Sequence, residues 1–308
     1  MTGKTHNQLA ITIDIEDWYH IPSVCGSPFS VYKDTNDFFN NWNERYDYLS
    51  EPTKSVLNLL QEFGINATFF VVADVVQRYP GLVESIADEG HEIACHGLHH
   101  NCKIDPKTKL PLFNPTDFQA RTIQAKTILE RVSGQRVIGY RAPNALIGGW
   151  MIDLLEKIGF KYDSSVSVNS IYNKSDSSLA GVTSTPYYPQ IGRLEPAPQR
   201  TIVEFPWSYY SISGLKLPTS GGPMLRILGA FMILKGLEQS LGRGCTVFYF
   251  HPIDLSYERF PNIGKGRPFY WMLKGDLIEK RIKYILINLK GIEKICLKDA
   301  LKDIPRRS

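Results

Sequence analysis

Two histidines four residues apart, His96 and His100 in the run HGLHH, are the strongest chemical signal in this chain. That spacing sets two imidazoles on one side of a helical turn, where their nitrogens suit a divalent metal. A carboxylate would complete a two-histidine, one-carboxylate set with positions left open for water and substrate. The acidic run Asp14-Ile15-Glu16-Asp17 can supply that ligand, and a second carboxylate to act as a base. His99 falls on the other side of the turn and is expected not to bind. A closed structural zinc site built on Cys95 and Cys102 is a rival reading. It lacks the usual CxxC pairing and would need Cys95, a strand residue, to leave the core.

Three further residues follow strand-like segments. Arg141, directly before Ala142 and Pro143, can fix a carboxylate with its planar fork. His251, after Phe-Tyr-Phe, can serve as a general acid, held protonated by a carboxylate such as Asp163. Taken singly, each has a bland alternative: a solvated acidic turn, a surface ion pair, a satisfied core histidine. Their shared placement at strand ends is harder to explain that way, because the carboxyl edge of a parallel sheet is where such folds build sites.

The segments that must carry these residues alternate between strand and helix. Residues 9–15 read as a first strand, and the apolar run 67–73 as a strand buried on both faces. Short strands follow at 91–95, 136–140, 160–162, 201–205 and 246–250, with a last one near Ile295. Helices are expected over 52–63, from Pro80 to Gly90, from Asn114 to Gly134, over 150–158, 224–241 and 276–289. Residues 167–200, rich in Ser, Pro, Tyr and Asn, read as irregular loop. The alternation predicts one α/β domain, a distorted (β/α) barrel of about seven strands spanning 1–308, with 256–308 packed on it as a carboxy-terminal extension.

Composition narrows the function. With 35 Lys and Arg against 31 Asp and Glu, the net charge is +4, so nucleic acid is not an expected partner. Five cysteines are too few and too scattered for a disulfide framework. Aromatic residues make up 12%, compatible with a carbohydrate-lined cleft. The first residues reach acidic side chains before any apolar signal core can form, and no run of about 18 apolar residues follows. A cytoplasmic protein is expected.

At this point the motifs resemble the polysaccharide deacetylases, the NodB-homology domain of carbohydrate esterase family 4. TIDIEDW resembles the first motif of that family, HGLHH the second, RAP the third, YDSS the fourth and FYFH the fifth. The wording TIDIEDWYH, EFPWS and SGGPMLRIL is most similar to a subgroup associated with bacterial exopolysaccharide and surface-glycan assembly. The resemblance implies that Asp14 is the base, Arg141 its orienting partner, His251 the acid and Asp163 the partner of His251. It implies His96 and His100 as metal ligands, with Asp17 preferred over Glu16 as the third. The family usually has adjacent aspartates in the first motif; here Asp14 and Asp17 are separated, and another register makes Glu16 the base. Asn144 stands where the family usually has an aromatic residue, and its backbone N–H can still help hold an oxyanion.

The function so implied is metal-dependent hydrolysis of an N-acetyl group from an amino sugar. Zinc is the first choice of metal, with cobalt, nickel or manganese fitting the same ligands. Another metal-dependent amidase, acting on a nucleotide- or lipid-linked substrate, and a non-catalytic glycan-binding module are the alternatives. Residues 167–200 and the aromatics 207–210 are expected to line the sugar site. The apolar helix 224–241 is expected to pack against the barrel, with peripheral membrane contact, Arg226 and Lys235 meeting lipid phosphates, as the alternative.

Overall fold

A computed structural model of the chain describes residues 7–25, 30–42, 47–101, 105, 108, 113–198, 200–259 and 272–305. The strands, in chain order, are β1 (Gln8–Ile15), β2 (Thr68–Val71), β3 (Glu92–Cys95), β4 (Gly139–Tyr140), β5 (Tyr162–Asp163) and β6 (Val203–Glu204). A hairpin follows, β7 (Tyr209–Ile212) and β8 (Leu215–Pro218), and then β9 (Thr246–Phe250) and β10 (Glu293–Ile295). The strands β1 to β6 pair in that order, all parallel, and β9 runs parallel to β1 on its other side. A parallel bridge between Trp207 and Val247 brings the chain beyond β6 alongside β9. The seven strands therefore curl into the expected distorted barrel. β10, from the carboxy-terminal extension, adds a parallel strand beside the start of β1.

The pleat decides what each side chain meets, because successive residues of a strand face opposite sides. Ile11, Ile13 and Ile15 of β1 join the outer core beneath the helices, whereas Ala10 joins an inner cluster with Phe70, Ala94, Tyr162, Val203 and Val247. Both layers are buried, and each large apolar side chain so placed contributes about 1.5–3 kcal/mol. The amino-terminal end of the barrel is plugged. There, the backbone N–H of Leu297 donates to Thr68 Oγ1 at 2.7 Å, and that of Lys298 to the buried Glu92 carboxylate at 2.9 Å.

Outside the strands lie helices α1 (Thr35–Asn41), α2 (Ser50–Glu62), α3 (Val75–Arg78), α4 (Leu82–Asp88), α5 (Pro115–Ser133) and α6 (Gly149–Ile158). Later come α7 (Gly222–Ile227), α8 (Gly229–Leu241), α9 (Asp276–Asn288) and α10 (Leu297–Ala300). Helix α5 shows how local sequence sets these boundaries. Asn114 caps it by accepting from the Thr116 N–H at 2.8 Å, Pro115 opens the first turn, and Phe118, Thr122, Ala125 and Leu129 face inward. Gly134 ends it at φ +65°.

The single helix expected over 224–241 is two, because Gly229 adopts φ +74° and breaks the run between α7 and α8. The hairpin β7–β8 was not expected. Its two-residue turn, Ser213-Gly214, has positive φ at both positions, the conformation that matches the twist of antiparallel strands. Strands β4, β5 and β6 are only two residues long, shorter than their apolar runs suggest. Among the described residues, no helix is long and apolar enough to cross a membrane.

Candidate active site

The site opens at the carboxyl ends of the strands as a cleft of about 270 Å³, lined among others by Asp14, Glu16, His96, His100, Arg141 and His251. Strand register brings these together. Ile13 of β1 is level with Phe250 of β9, and Cys95 of β3 with Tyr140 of β4, so Asp14 stands beside His251 and His96 beside Arg141.

Asp14 shares the inward face of β1 with Ala10 and Thr12. There, Arg141 Nη1 donates to Asp14 Oδ1 at 2.6 Å and to Thr12 Oγ1 at 3.0 Å. The guanidinium is fully buried, 4.1 Å above the centre of the Phe70 ring. Its remaining nitrogens are spent on Ser164, Nε on the carbonyl at 2.8 Å and Nη2 on Oγ at 2.9 Å. A planar donor fixed on every side holds one carboxylate in one orientation.

Glu16 lies two residues beyond Asp14, and the extended backbone keeps it on the same inward face. Its Oε2 is 2.8 Å from His100 Nε2 and its Oε1 is 2.8 Å from His251 Nε2. Glu16, His96 and His100 offer three ligand atoms that all lie within 4.8 Å of one another, a group able to hold a metal ion. The hydrogen-bond partners agree with that role. His96 Nδ1 is 2.8 Å from the Arg141 carbonyl, and His100 Nδ1 is 2.9 Å from the His20 carbonyl. A carbonyl only accepts, so both Nδ1 atoms carry the proton and each Nε2 is left to bind. Burial pushes the His96 pKa down to about 4, against the pull of Asp14, which keeps the ring neutral as a ligand must be.

The expected helical turn at HGLHH is an irregular loop. Gly97 at φ +81° and His100 at φ +52° bend it so that His100 turns back toward His96, their ring centres 4.9 Å apart. The loop is tied to the segment after β2 by the N–H groups of Ala73 and Asp74, which donate to the Gly97 and Leu98 carbonyls. His99 points elsewhere, toward Asp74 at 3.1 Å and into a neighbouring cavity with Phe39 and Arg121. Cys95 is buried in the outer core, and Cys102 lies outside the described residues.

Two expected assignments are corrected. Asp17 does not join the two imidazoles. One residue beyond Glu16, it faces the opposite way, accepting from Tyr79 Oη at 2.6 Å and from the Trp18 N–H at 2.7 Å, with Arg78 at 3.0 Å. The carboxylate beside His96 and His100 is Glu16. Asp163 does not reach His251 either: Tyr162 and Ser164 face the barrel interior, so Asp163 points out of it, toward Ser165 and Glu204.

The partner of His251 is Asp254, three residues on, whose Oδ2 is 3.0 Å from Nδ1 and also accepts the His251 N–H at 2.9 Å. Burial pulls the His251 pKa down, but the Asp254 and Glu16 carboxylates outweigh it and hold the ring protonated well above its usual range. Asp254 is itself bound by the buried Arg226, which is thus not free to meet lipid phosphates. Sequence reading also passed over His20, whose Nδ1 accepts the Asp17 N–H at 3.0 Å while Nε2 meets Asp74 at 3.0 Å. The closing histidine of TIDIEDWYH was its only signal. The expected sugar-lining region contributes Tyr172, Lys174 and Trp207 to the cleft. Asn144, at φ +56°, lines it too, its carbonyl accepting from Lys174 Nζ at 2.9 Å.

Residues 41–162 match the polysaccharide deacetylase family, and residues 167–291 match a domain of unknown function, DUF3473. The chain is 33% identical over 116 residues to the peptidoglycan deacetylase-like protein FGM2 of Gibberella zeae, covering 36% of this chain and 32% of that protein. It is 26% identical over 151 residues to a peptidoglycan-N-acetylglucosamine deacetylase of Bacillus cereus, covering 44% of this chain and 52% of that one. The chain thus spans about a third to a half of the length of these relatives. In structure it is similar to a candidate polysaccharide deacetylase from Mycobacterium smegmatis, with a TM-score of 0.61 at 21% identity, covering 98% of this chain and 91% of that one.

Proposed function

Starting from the polysaccharide deacetylase domain that this chain carries, we propose that it hydrolyses the N-acetyl group of an amino sugar in a glycan or glycan precursor, with a divalent metal, and releases acetate. The observation that carries this reading is the meeting, in one cleft, of an arginine-held carboxylate, a two-histidine and glutamate cluster and a histidine set between two carboxylates. The relatives' names, which refer to peptidoglycan and N-acetylglucosamine, support an N-acetylated amino sugar as substrate.

Glu16, His96 and His100 would hold the metal, zinc by the nitrogen and oxygen character of the donors. When bound, it polarises the amide carbonyl and makes water a stronger nucleophile. Asp14 accepts the proton that the attacking water gives up, and Arg141 keeps its Oδ1 in place. His251 gives its proton to the departing amine nitrogen, without which C–N cleavage would expel a poor leaving group. Asp254 orients His251 and Arg226 anchors Asp254. Amide and water become acetate and amine with every proton accounted for. The cleft, about 270 Å³, is at the small end of ligand sites, a size that suits a single acetamido sugar ring.

The test is an acetate-release screen of zinc-loaded protein across polymeric, lipid-linked and nucleotide-linked N-acetyl sugars, with Asp14→Asn as the control. Acetate released by wild type and not by Asp14→Asn is expected. No release from any substrate, with saturating glycan affinity retained, would make the protein a binding module instead.

A further inference from the structure

Two buried carboxyl groups sit directly behind Arg141. Asp163 and Glu204 are register partners on the neighbouring parallel strands β5 and β6, so their side chains lie side by side on one face. Both are fully buried. Each has one oxygen well supplied: Asp163 Oδ1 accepts from Ser165 Oγ at 2.8 Å, and Glu204 Oε1 accepts the Ser165 and Val166 N–H groups at 3.1 and 2.9 Å. The other oxygens, Oδ2 and Oε2, receive no hydrogen bond from a nitrogen or hydroxyl among the described residues. What faces them is each other. Two ionised carboxylates cannot stand together in a dry site without a cation between them, and one proton held in common satisfies both orphaned oxygens.

We propose that Asp163 and Glu204 share a single proton, and that Glu204 is thereby a positioning residue for Arg141 and, through it, for Asp14. The role of Asp14 rests on the function proposed above; the shared proton does not. The link is short. Glu204 pins the Ser165 and Val166 amides, and the adjoining Ser164 takes the Nε and Nη2 of Arg141. Ser165 Oγ meanwhile accepts the Ala142 N–H at 2.8 Å, tying the same segment to the residue after Arg141. Ionising both acids would push β5 from β6 at the point where the guanidinium is gripped.

The charged and titratable groups facing the pair are few. Arg141 attracts Asp163 but already bonds Asp14, the Tyr187 hydroxyl is engaged as a donor to the Leu194 carbonyl, and Tyr140, level with Asp163 on β4, is a phenol that burial and the Asp163 charge keep neutral. Burial, and then the neighbouring Asp163, push the Glu204 pKa well up. Since the folded value is raised, the stabilisation from the neutral acid is complete below the ordinary glutamic acid pKa, about 4.3, and is lost as pH rises through the folded value.

The experiment compares wild type, Glu204→Gln and Glu204→Ala. Glutamine can donate to Asp163 as the neutral acid does, so the wild-type minus Glu204→Gln infrared difference at neutral pH should show the carbonyl stretch of a protonated carboxylic acid. The melting temperature of Glu204→Gln should gain on wild type as pH is raised. In Glu204→Ala, the Ser165 and Val166 amides should exchange faster, and kcat should fall about tenfold or more with little change in KM, while Glu204→Gln keeps kcat within about threefold. The absence of the difference band, or parallel melting curves across pH, overturns the shared proton. Equal losses of kcat in both variants, or in neither, overturn the positioning role. Should Glu204→Ala not fold, the band, the melting curves and the retained kcat of Glu204→Gln decide the matter. A wild type that releases no acetate refutes the proposed function, and infrared and exchange still decide for or against the pair.

Discussion

Replacing Asp254 with asparagine separates the two duties that the structure gives this residue. Asp254 is 1% exposed and stands between two cations, the guanidinium of Arg226, itself 5% exposed, and the imidazolium of His251. Asparagine keeps the size and one accepting oxygen but removes the charge. Arg226 then loses the charge of Asp254, and removing one member of a buried pair costs about 3–5 kcal/mol. His251 loses one of its two carboxylates, the one that does more to raise its pKa. A hydrogen bond to a charged group contributes about 1.5–3 kcal/mol, which at 1.36 kcal/mol per pKa unit lowers its pKa by about one to two units.

The assay pairs denaturant unfolding with the pH dependence of acetate release. Asp254→Asn should be less stable by the amount above, and the alkaline limb of kcat/KM should move down by about one to two units. Because folding raises the His251 pKa, its pairing stabilises fully below the free imidazole pKa of about 6.5, and that stabilisation is lost as pH climbs through the folded value. The stability gap between wild type and variant should therefore narrow in alkali. The double variant Arg226→Met with Asp254→Asn should recover most of the stability, since a buried pair can be exchanged for apolar packing at little cost, but not the alkaline limb. An unmoved limb in both variants would refute the assignment of Asp254 as the partner of His251. Wild-type stability in the single variant would refute the buried pair.

Metal content should follow the geometry. Glu16→Gln, His96→Ala and His100→Ala should each remove most bound zinc by elemental analysis, while Asp17→Asn and His99→Ala should keep it; zinc lost from Asp17→Asn and kept by Glu16→Gln would reverse the correction. Asp14→Asn should bind zinc normally yet lose about 10²–10⁴ in kcat, since the water is left without a proton acceptor; unchanged turnover would remove Asp14 as the base. Burial would raise the Asp74 pKa, but His20 and His99 hold it down at about 2, so Asp74→Asn should cost roughly 2 kcal/mol near neutral pH. That gap should close as acid takes the wild type from about 3.8 toward about 2, and a gap constant down to that range would contradict the network.

The parts of the site that the sequence disclosed are those set by strand ends. Apolar runs placed β1, β2, β3, β4 and β9, and each of Asp14, His96, Arg141 and His251 lies near or just beyond the end of one, so that the barrel had to gather them. What escaped was decided by two other things. One is side-chain direction beyond the last ladder bond. Asp17 could join the two imidazoles only if a turn folded the acidic run back, whereas the backbone stays extended through Asp17, at φ −85° and ψ 166°. The period of two therefore continues past the strand, setting Asp14 and Glu16 on one face and Asp17 on the other. Applied to β5, the same count turns Asp163 away from His251.

The other is long-range pairing that leaves no local mark. Arg226 reads as a basic residue on an apolar helix, and only the docking of α7 against the loop after β9 makes it the anchor of Asp254, 28 residues away. Gly222 shows the cost of that approach, since a Cβ there would strike the Asp254 carboxylate. The second glycine of SGGPMLRIL thus fits a need of the acid's support: backbone must come close enough for a buried arginine to reach a buried aspartate. The motif histidine is legible because a strand presents it, whereas Arg226, the anchor of the carboxylate that pairs with it, comes from a helix whose sequence speaks only of being apolar.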